Sequence, residues 1–357
     1  MKKCIMYMIG MVLASICLLS GCAGQRELAQ QQLAQKEEKD RYDSMIFAMD
    51  TVMNMTVYHE KGDEFLLDAE KEIQRLEGLF SVTKENSEVA QLNDKAGEEG
   101  MSISKETAEL LLAGKELTKD TEDAFDITIA PVVKAWGFTE EVHQVPSQEV
   151  LNKLMPLVDA ASLSVDGQKA YLSKAGMAVD LGGIAKGYTA DRVISLFREE
   201  GVSSAVISLG GNVATIGTKP DGSSWKVAVS NPLDTEEYVG MLEVKDSSAV
   251  TSGGYQRFFE ENGKQYHHII NPQTGYPAEG GLLSVTILSP NSTRADGLST
   301  ALFVMGEEKG LDFWRNNQDF EVIFITEDHR IVATKGAAEA FTFEKGDSDF
   351  TYEVVEN

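Results

Sequence analysis

The sequence changes from strand to helix character across one glycine-rich stretch, Asp180-Leu181-Gly182-Gly183-Ile184-Ala185-Lys186-Gly187-Tyr188. Apolar spacing predicts a strand over 177–181, paired with one over 170–173, and an amphipathic helix over 183–200 that stops at Gly201. Glycines at such a junction let the backbone approach a ligand, and the free N–H groups of a helix's first turn favour an anion. Lys186 adds a positive charge. A tight turn with a solvated lysine explains this stretch equally well when it is taken alone.

Strands and helices are mixed on both sides of this stretch. Apolar periodicity predicts a strand over 50–59, a helix over 65–80, and a helix over 104–117 that is capped by Ser104. Asn262-Gly263 predicts a hairpin turn. This mixture favours an α+β fold, with mixed sheets and helices in one globular unit that could divide into two lobes. The glycine spacing matches neither the P-loop nor the dinucleotide-binding fingerprint.

Composition excludes several classes of protein. Of 357 residues, 42% are hydrophobic and 25% are charged, which is typical of a globular chain and not of collagen, wholesale disorder or a polytopic membrane protein. The formal charge is −25, so we expect no nucleic acid partner, because nucleic acid binding relies on Lys and Arg. The same charge makes an anionic ligand unfavourable unless a cation accompanies it.

The first residues resemble a bacterial lipoprotein signal. Lys2 and Lys3 precede an apolar run that is too short for a comfortable membrane span, and the run ends in Leu19-Ser20-Gly21-Cys22. This predicts a signal peptide over 1–21, cleavage before Cys22, and a diacylglycerol anchor on its thiol. An ordinary signal peptide with a chance cysteine is the alternative. With the lipoprotein signal, we expect the protein to be anchored by lipid to a bacterial membrane, on the cell surface or the periplasmic side.

The rest of the chain divides simply. Residues 22–43, rich in Gln, Glu, Lys and Ala, predict a tether after the anchor. We expect the catalytic domain over 44–345 and a C-terminal tail over 346–357. Cys4 and Cys17 leave with the signal, so the mature domain has no free thiol for catalysis or metal binding.

A second informative stretch is Arg294-Ala295-Asp296-Gly297-Leu298-Ser299-Thr300, early in a predicted helix. Asp296 and Thr300 are four residues apart, so they share one face. A carboxylate and a hydroxyl at that spacing can both reach a hard cation such as Mg²⁺. The alternative is an acidic residue favoured by the helix N-terminus and a threonine that bonds back to the preceding turn.

Two further stretches carry candidate site residues. His267 and His268 enter a turn rich in Pro, Gly and Asn, and histidine is suited to proton transfer near neutral pH. Because adjacent strand residues face opposite ways, only one of the two can point into a site. Asp126, in Ala124-Phe125-Asp126-Ile127-Thr128, could accept hydrogen bonds from a ring or a ribose. Nothing in these stretches supports a zinc site.

Taken together, these segments resemble the ApbE-type FAD:protein FMN transferase family, from Met49-Asp50-Thr51 to about Gly306. The similar segments are those above together with Ser87 to Asn93, Leu209-Gly210-Gly211-Asn212 and Thr251-Ser252-Gly253. The resemblance implies an enzyme that binds FAD with Mg²⁺, releases AMP and places FMN on a Thr or Ser hydroxyl of a partner flavoprotein outside the cytoplasm.

The resemblance also implies roles for individual residues. The metal ligands would be the Ala185 carbonyl, Asp296 and Thr300. FAD contacts would come from Met49, Ala124, Phe125, Asp126, Asp180, Lys186 and His268. His268 would be the base for the acceptor hydroxyl, with Asp296 also catalytic through the metal, and His267 a structural neighbour.

One position departs from the family pattern. Many members have Phe-Ser-x-Tyr after the first helix, with the tyrosine near the flavin, whereas this chain has Phe80-Ser81-Val82-Thr83. A threonine cannot stack on a ring. The departure keeps open a Mg²⁺-dependent FAD pyrophosphatase that yields FMN and AMP. A lipoprotein that only binds a solute is a third possibility, which has no use for Asp180, Lys186, Asp296 and Thr300 in one chain with His268.

Overall fold

The computed structural model describes residues 40–140, 142–344, 346 and 349–356. Its strands, in chain order, are β1 (Arg41–Ala48), β2 (Thr51–Tyr58), β3 (Met101–Ser102), β4 (Leu163–Asp166), β5 (Lys169–Leu172), β6 (Ala205–Leu209), β7 (Asn212–Ile216), β8 (Trp225–Asn231), β9 (Asp234–Val244), β10 (Ser248–Gly253), β11 (Phe258–Glu261), β12 (Lys264–His267), β13 (Leu282–Ser289), β14 (Glu321–Thr326), β15 (Arg330–Thr334), β16 (Phe341–Phe343) and β17 (Thr351–Val355). The predicted hairpin at Asn262-Gly263 is confirmed as β11 and β12.

The helices surround these strands. They are α1 (Gly62–Phe80), α2 (Glu88–Asp94), α3 (Lys105–Asp120), α4 (Ala130–Ala135), α5 (Gln148–Leu154), α6 (Ala185–Glu199), α7 (Ser292–Met305), α8 (Glu307–Asn317) and α9 (Lys335–Ala340). The predicted cap of α3 is confirmed, because the Ser104 side chain accepts a hydrogen bond from the Thr107 N–H. The part of the chain that the structure describes contains no helix long and apolar enough to cross a membrane.

One sheet of nine strands carries most of these elements, in the order β1-β2-β6-β7-β10-β13-β14-β15-β17. Neighbours in it are antiparallel except β15 and β17, which are parallel. Side chains alternate between its two faces. Val250 on β10 packs in the core with α7, whereas its neighbour Ala249 packs with β8, β9 and β16 on the opposite face. The sheet is therefore sandwiched between helices and a small second sheet, as the α+β expectation requires.

Three expectations need correction. β1 pairs with β2 from Arg41 onward, so residues 41–43, which were expected in the tether, belong to the sheet. The segment expected as a tail contains β17, which pairs with β15 and is anchored by the buried Phe350. The expected strand over 177–181 does not form, and β5 pairs with β3 and β4 instead. The predicted signal peptide, Cys22 and the tether up to residue 39 lie outside the described residues.

Candidate active site

A strained two-residue turn between β1 and β2 forms one side of the site. Met49 and Asp50 have φ angles of 48° and 59°, a left-handed conformation that such a hairpin turn usually gives to Asn-Gly. The Met49 N–H donates to Glu77 Oε1 at 3.0 Å, and the Thr189 hydroxyl contacts Met49 Sδ at 3.7 Å. Backbone strain of this kind persists only where surrounding contacts fix it, and it is frequent at functional sites.

The glycine-rich stretch, from Asp180 to the start of α6, forms the second side of the site. The Asp180 N–H donates to the Ile127 carbonyl at 2.7 Å, and Asp180 Oδ1 accepts from the Gly182 N–H at 2.7 Å. Burial raises the pKa of Asp180, while Gly182, Lys186 and Arg257 oppose the rise. The Lys186 ammonium donates to the Gly182 carbonyl at 3.3 Å, so the cation lies over the loop.

Gly183 brings two other segments to this loop. A Cβ atom at Gly183 would lie 2.9 Å from the ring of Phe125 and 3.7 Å from Thr300 Oγ1. The absence of a side chain therefore lets the Phe125 ring and α7 approach the same backbone. The structure thus brings together Phe125, Asp180, Lys186 and Thr300, four residues to which the resemblance gives roles in binding FAD or the metal.

The third side is the crossing of α6 and α7 at Gly187. The Gly187 N–H donates to Asp296 Oδ2 at 2.8 Å, and Asp296 is only 3% exposed. The carbonyl of Ala185 accepts from the Thr189 hydroxyl at 2.8 Å. This crossing places a buried carboxylate of α7 beside the first turn of α6, where helix N–H groups favour an anion.

The donor atoms at this crossing fit a hard cation that also contacts phosphate. Among residues 40–140, 142–344, 346 and 349–356, no cluster of three His, Cys, Asp or Glu side chains could hold a metal alone. The available set is one carboxylate, one hydroxyl and one carbonyl, from Asp296, Thr300 and Ala185. Mg²⁺ characteristically takes few protein oxygens and completes its shell with water and phosphate. The chemistry of this set therefore fits Mg²⁺ better than zinc.

His268 directly follows β12. Its Nδ1 and its backbone N–H are each 3.1 Å from the Arg257 carbonyl. Because a carbonyl only accepts, Nδ1 carries the proton and Nε2 has the free lone pair. Burial is the main cause that lowers the pKa of His268 to about 4; nearby Arg257 and Lys186 add to this effect, and the hydrogen bond to the Arg257 carbonyl opposes it. The ring is therefore a neutral base at pH 7.

His267 faces the protein interior, as expected of the structural neighbour. Its Nε2 lies 3.0 Å from the Ala278 carbonyl, and its ring packs edge-on against Phe303. Burial lowers its pKa, which keeps it neutral.

Comparison with known proteins identifies the fold and the family together. A family model described as "ApbE family" matches residues 49–324. A curated FAD:protein FMN transferase of Klebsiella pneumoniae (strain 342) is 36% identical over 263 residues, which cover 73% of this chain and 81% of that protein. This chain belongs to the ApbE family.

Other relatives extend the likeness over nearly all of the chain. The FAD:protein FMN transferase of Treponema pallidum (strain Nichols) is 30% identical over 355 residues and covers 94% of this chain and 95% of its own. The crystal structure of the ApbE protein from Thermotoga maritima has a TM-score of 0.79 at 30% identity and covers 84% of this chain and 99% of that one. The Pseudomonas stutzeri flavinyl transferase ApbE, apo form, has a TM-score of 0.76 at 28% identity, with 84% and 96% covered. The resemblance to this family and the predicted fold class are confirmed.

Asp126, which the ApbE resemblance assigns to FAD, has an internal role in this structure. Its Oδ1 accepts from the N–H and hydroxyl of Thr128, both at 2.7 Å, and its Oδ2 accepts from the Ala160 N–H at 3.3 Å. Burial raises its pKa despite these bonds. Ala124, also buried, precedes it on the turn that leads from α3. Asp126 therefore holds the backbone that presents Phe125.

Sequence reasoning missed the residues that hold this ApbE site in place. Asp191, one α6 turn beyond Gly187, accepts from the N–H groups of Ser292 and Thr293 at 2.9 and 2.8 Å, so it caps α7 from another helix. Arg257 supplies the carbonyl that fixes His268, and its guanidinium donates to the Phe138 carbonyl. An acidic residue in a helix and an arginine before a hairpin give no signal of these distant partners.

Proposed function

We propose that this protein transfers FMN from FAD to a Thr or Ser hydroxyl of an extracytoplasmic flavoprotein, with Mg²⁺, and releases AMP. The supporting observation is the buried Asp296 carboxylate, which meets the Gly187 N–H at the start of α6 within an ApbE-family fold. That arrangement combines an acidic metal ligand with a helix N-terminus suited to phosphate.

The Ala185 carbonyl, Asp296 and Thr300 are the residues that would hold Mg²⁺. When bound, the ion supplies charge neutralisation for the pyrophosphate, which phosphoryl transfer needs more than covalent help from the protein. Lys186 and the N–H groups of the first α6 turn add positive potential on the same side. Although the chain has a formal charge of −25, these local positive charges would reduce the electrostatic repulsion of an anionic dinucleotide at the site.

His268 supplies the base. In the proposed step the acceptor hydroxyl oxygen attacks the phosphorus of the FMN half, and the P–O bond to the AMP phosphate breaks. The hydroxyl proton passes to His268 Nε2, which is the unprotonated nitrogen because Nδ1–H faces the Arg257 carbonyl. AMP departs with the electron pair of the broken bond.

The extracytoplasmic location and the lipid anchor rest on the sequence pattern alone. Lys2, Lys3, the apolar run and Leu19-Ser20-Gly21-Cys22 support export and lipidation. With that anchor the protein partitions with membranes and needs detergent for extraction, whereas recovery in the soluble fraction would contradict it.

Thr83 gives a specific reason to keep FAD hydrolysis as a second candidate. Thr83 is exposed, and its hydroxyl lies 3.1 Å from the Ser81 hydroxyl within a local turn. No aromatic ring stands at this position to pack on a flavin. Water would then replace the acceptor hydroxyl in the same site.

The two candidates give different products. We expect a mature domain incubated with FAD, Mg²⁺ and an acceptor that carries the target threonine to leave fluorescent flavin on the acceptor after denaturing electrophoresis. AMP and free FMN without labelled acceptor would instead establish a pyrophosphatase. FAD bound without any product would leave a binding protein, contrary to the proposal. An acceptor with Ala in place of the target threonine is the matched control.

The unusual pKa of His268 predicts the pH profile of this reaction. Because burial lowers that pKa to about 4 from its ordinary value of 6.5, the base stays neutral well into the acid range. We expect kcat/KM to hold between pH 7 and about 5 and to fall towards pH 4. A fall centred near 6.5 would show that the pKa of His268 is not lowered, and would contradict this prediction.

The lowered pKa of His268 also makes the stability of the fold depend on pH. The folded state binds this proton less readily than the unfolded chain, so the contribution of neutral His268 is fully present above about pH 6.5 and is lost as pH falls towards 4. In His268→Gln, urea midpoints should therefore decline less between pH 7 and pH 5 than in the wild type.

A further inference from the structure

A line of hydroxyl groups joins the end of β10 to α7. Ser252 Oγ lies 2.7 Å from Ser299 Oγ and 3.4 Å from Thr300 Oγ1. Ser299 Oγ lies 2.7 Å from the carbonyl of Asp296, one turn earlier in the same helix. Ser299 is fully buried. The line thus begins at the hydroxyl of one predicted metal ligand and ends at the backbone of another.

The direction of each hydrogen bond follows from counting protons. A carbonyl only accepts, so Ser299 donates its single hydroxyl proton to Asp296. Ser299 must then accept from Ser252, which uses the only proton that Ser252 has. In its contact with Thr300, Ser252 can therefore only accept, and the Thr300 hydroxyl donates. The proton of Thr300 is consequently turned towards β10.

We propose that Ser252 is a positioning residue that sets the hydroxyl of Thr300 as a ready oxygen ligand. With its proton held by Ser252, Thr300 keeps its lone pairs for the other side, where Gly183 and the glycine loop lie. A metal ion binds lone pairs, so a hydroxyl whose proton is already turned away needs no rearrangement to coordinate. This inference rests on the proposed function, because it concerns the proposed Mg²⁺ site.

The same strand offers a matched control. Ser248, four residues earlier on β10, lies on the same face, and its hydroxyl contacts the hydroxyl of Ser292 at the start of α7. Both serines therefore join β10 to α7 through hydroxyl pairs. Ser252 touches Thr300, whereas the partner of Ser248 is no predicted metal ligand. Removing either hydroxyl should destabilise the fold to a similar extent, because each variant loses a hydroxyl contact between β10 and α7.

The test compares Ser252→Ala with Ser248→Ala, using Mn²⁺ as the probe ion because it accepts the same oxygen ligands as Mg²⁺. Calorimetric titration of the full folded protein, with and without FAD, should show about tenfold weaker Mn²⁺ binding in Ser252→Ala. Ser248→Ala should bind like the wild type. The melting temperature should be lowered to a similar extent in both serine-to-alanine variants. Ser252→Thr, which keeps the hydroxyl, should restore Mn²⁺ affinity.

Each other outcome has one meaning. Wild-type affinity in Ser252→Ala, together with lost binding in Asp296→Asn, would overturn the role of Ser252 and leave the metal site standing. Equal weakening in both serine variants would show a structural effect only, and would overturn the role as well. A wild-type protein that binds no Mn²⁺ in either condition would overturn the proposed magnesium site, and this inference with it.

Discussion

Asp296→Asn is expected to lower FMN transfer on the order of a thousandfold and to abolish its dependence on Mg²⁺. The carboxylate is the acidic member of the proposed ligand set, and its replacement by an amide removes the charge that attracts the cation. The amide oxygen can still accept from the Gly187 N–H, which meets Asp296 Oδ2 at 2.8 Å in the wild type. The fold should therefore survive, and the loss should appear in turnover and in Mn²⁺ titration together.

A matched control separates this effect from a change in net charge. Asp312→Asn removes the same charge from α8, where the side chain is exposed and pairs with Arg315. Exposed pairs of this kind contribute little to stability, so transfer and metal binding should be unchanged. Full activity in Asp296→Asn would remove the metal assignment, while equal losses in both variants would indicate a general effect of charge.

Local signals explain why much of this site could be predicted from the sequence. The glycine-rich stretch marks the start of the helix that follows it, and α6 begins at Ala185, close to the predicted position. Asp296 and Thr300 share a helix face simply because they are four residues apart. Ser104 caps α3 through bonds within one turn. Each of these features depends on residues that are near one another in the chain.

Features that depend on distant partners were missed. The segment over 177–181 looks like a strand, but the side chain of Asn93 takes the place of a neighbouring strand. Its amide donates to the Val179 carbonyl at 2.9 Å and accepts from the Val179 N–H at 2.7 Å. The acidic C-terminal residues resemble a solvated tail, yet β17 finds β15 as its partner. Neither pairing can be deduced from local composition, because the deciding contact is far away in sequence.

Asp126 carries a local signal for a structural role as well. An aspartate two residues before a threonine at the start of a helical turn is a common capping arrangement, and Asp126 caps the turn that begins at Ile127. The resemblance to flavin transferases assigns the same side chain to FAD, and that role stays a prediction. The internal bonds from Thr128 and Ala160 to Asp126 fix the turn that carries Phe125.

Gly187→Ala is expected to destabilise the protein and to disable the site. An added Cβ would lie 2.2 Å from the Ser292 carbonyl oxygen and 2.7 Å from Asp296 Cβ. The first of these is backbone in a helix start that Asp191 holds, so α6 and α7 must separate. Overpacking of this kind costs about 1–3 kcal/mol, which lowers the melting temperature by about 2–4 °C for each kcal/mol. Because Asp296 moves with α7, transfer should fall further than the loss of folded protein explains.

Gly78→Ala is the control for Gly187→Ala, because the same substitution is expected to have the opposite effect on stability at Gly78. Gly78 also lies within a helix, near the end of α1, and a Cβ there would meet nothing within 4 Å. The same substitution should therefore stabilise the protein slightly, by up to about 1 kcal/mol, because glycine is the poorer helix former. The melting temperature should rise slightly in Gly78→Ala and fall in Gly187→Ala, and only Gly187→Ala should lose transfer activity. A Gly187→Ala protein that melts like Gly78→Ala would mean that α6 and α7 do not cross as closely as the Gly187–Asp296 contact requires, and the proposed ligand set would then lack its geometric basis.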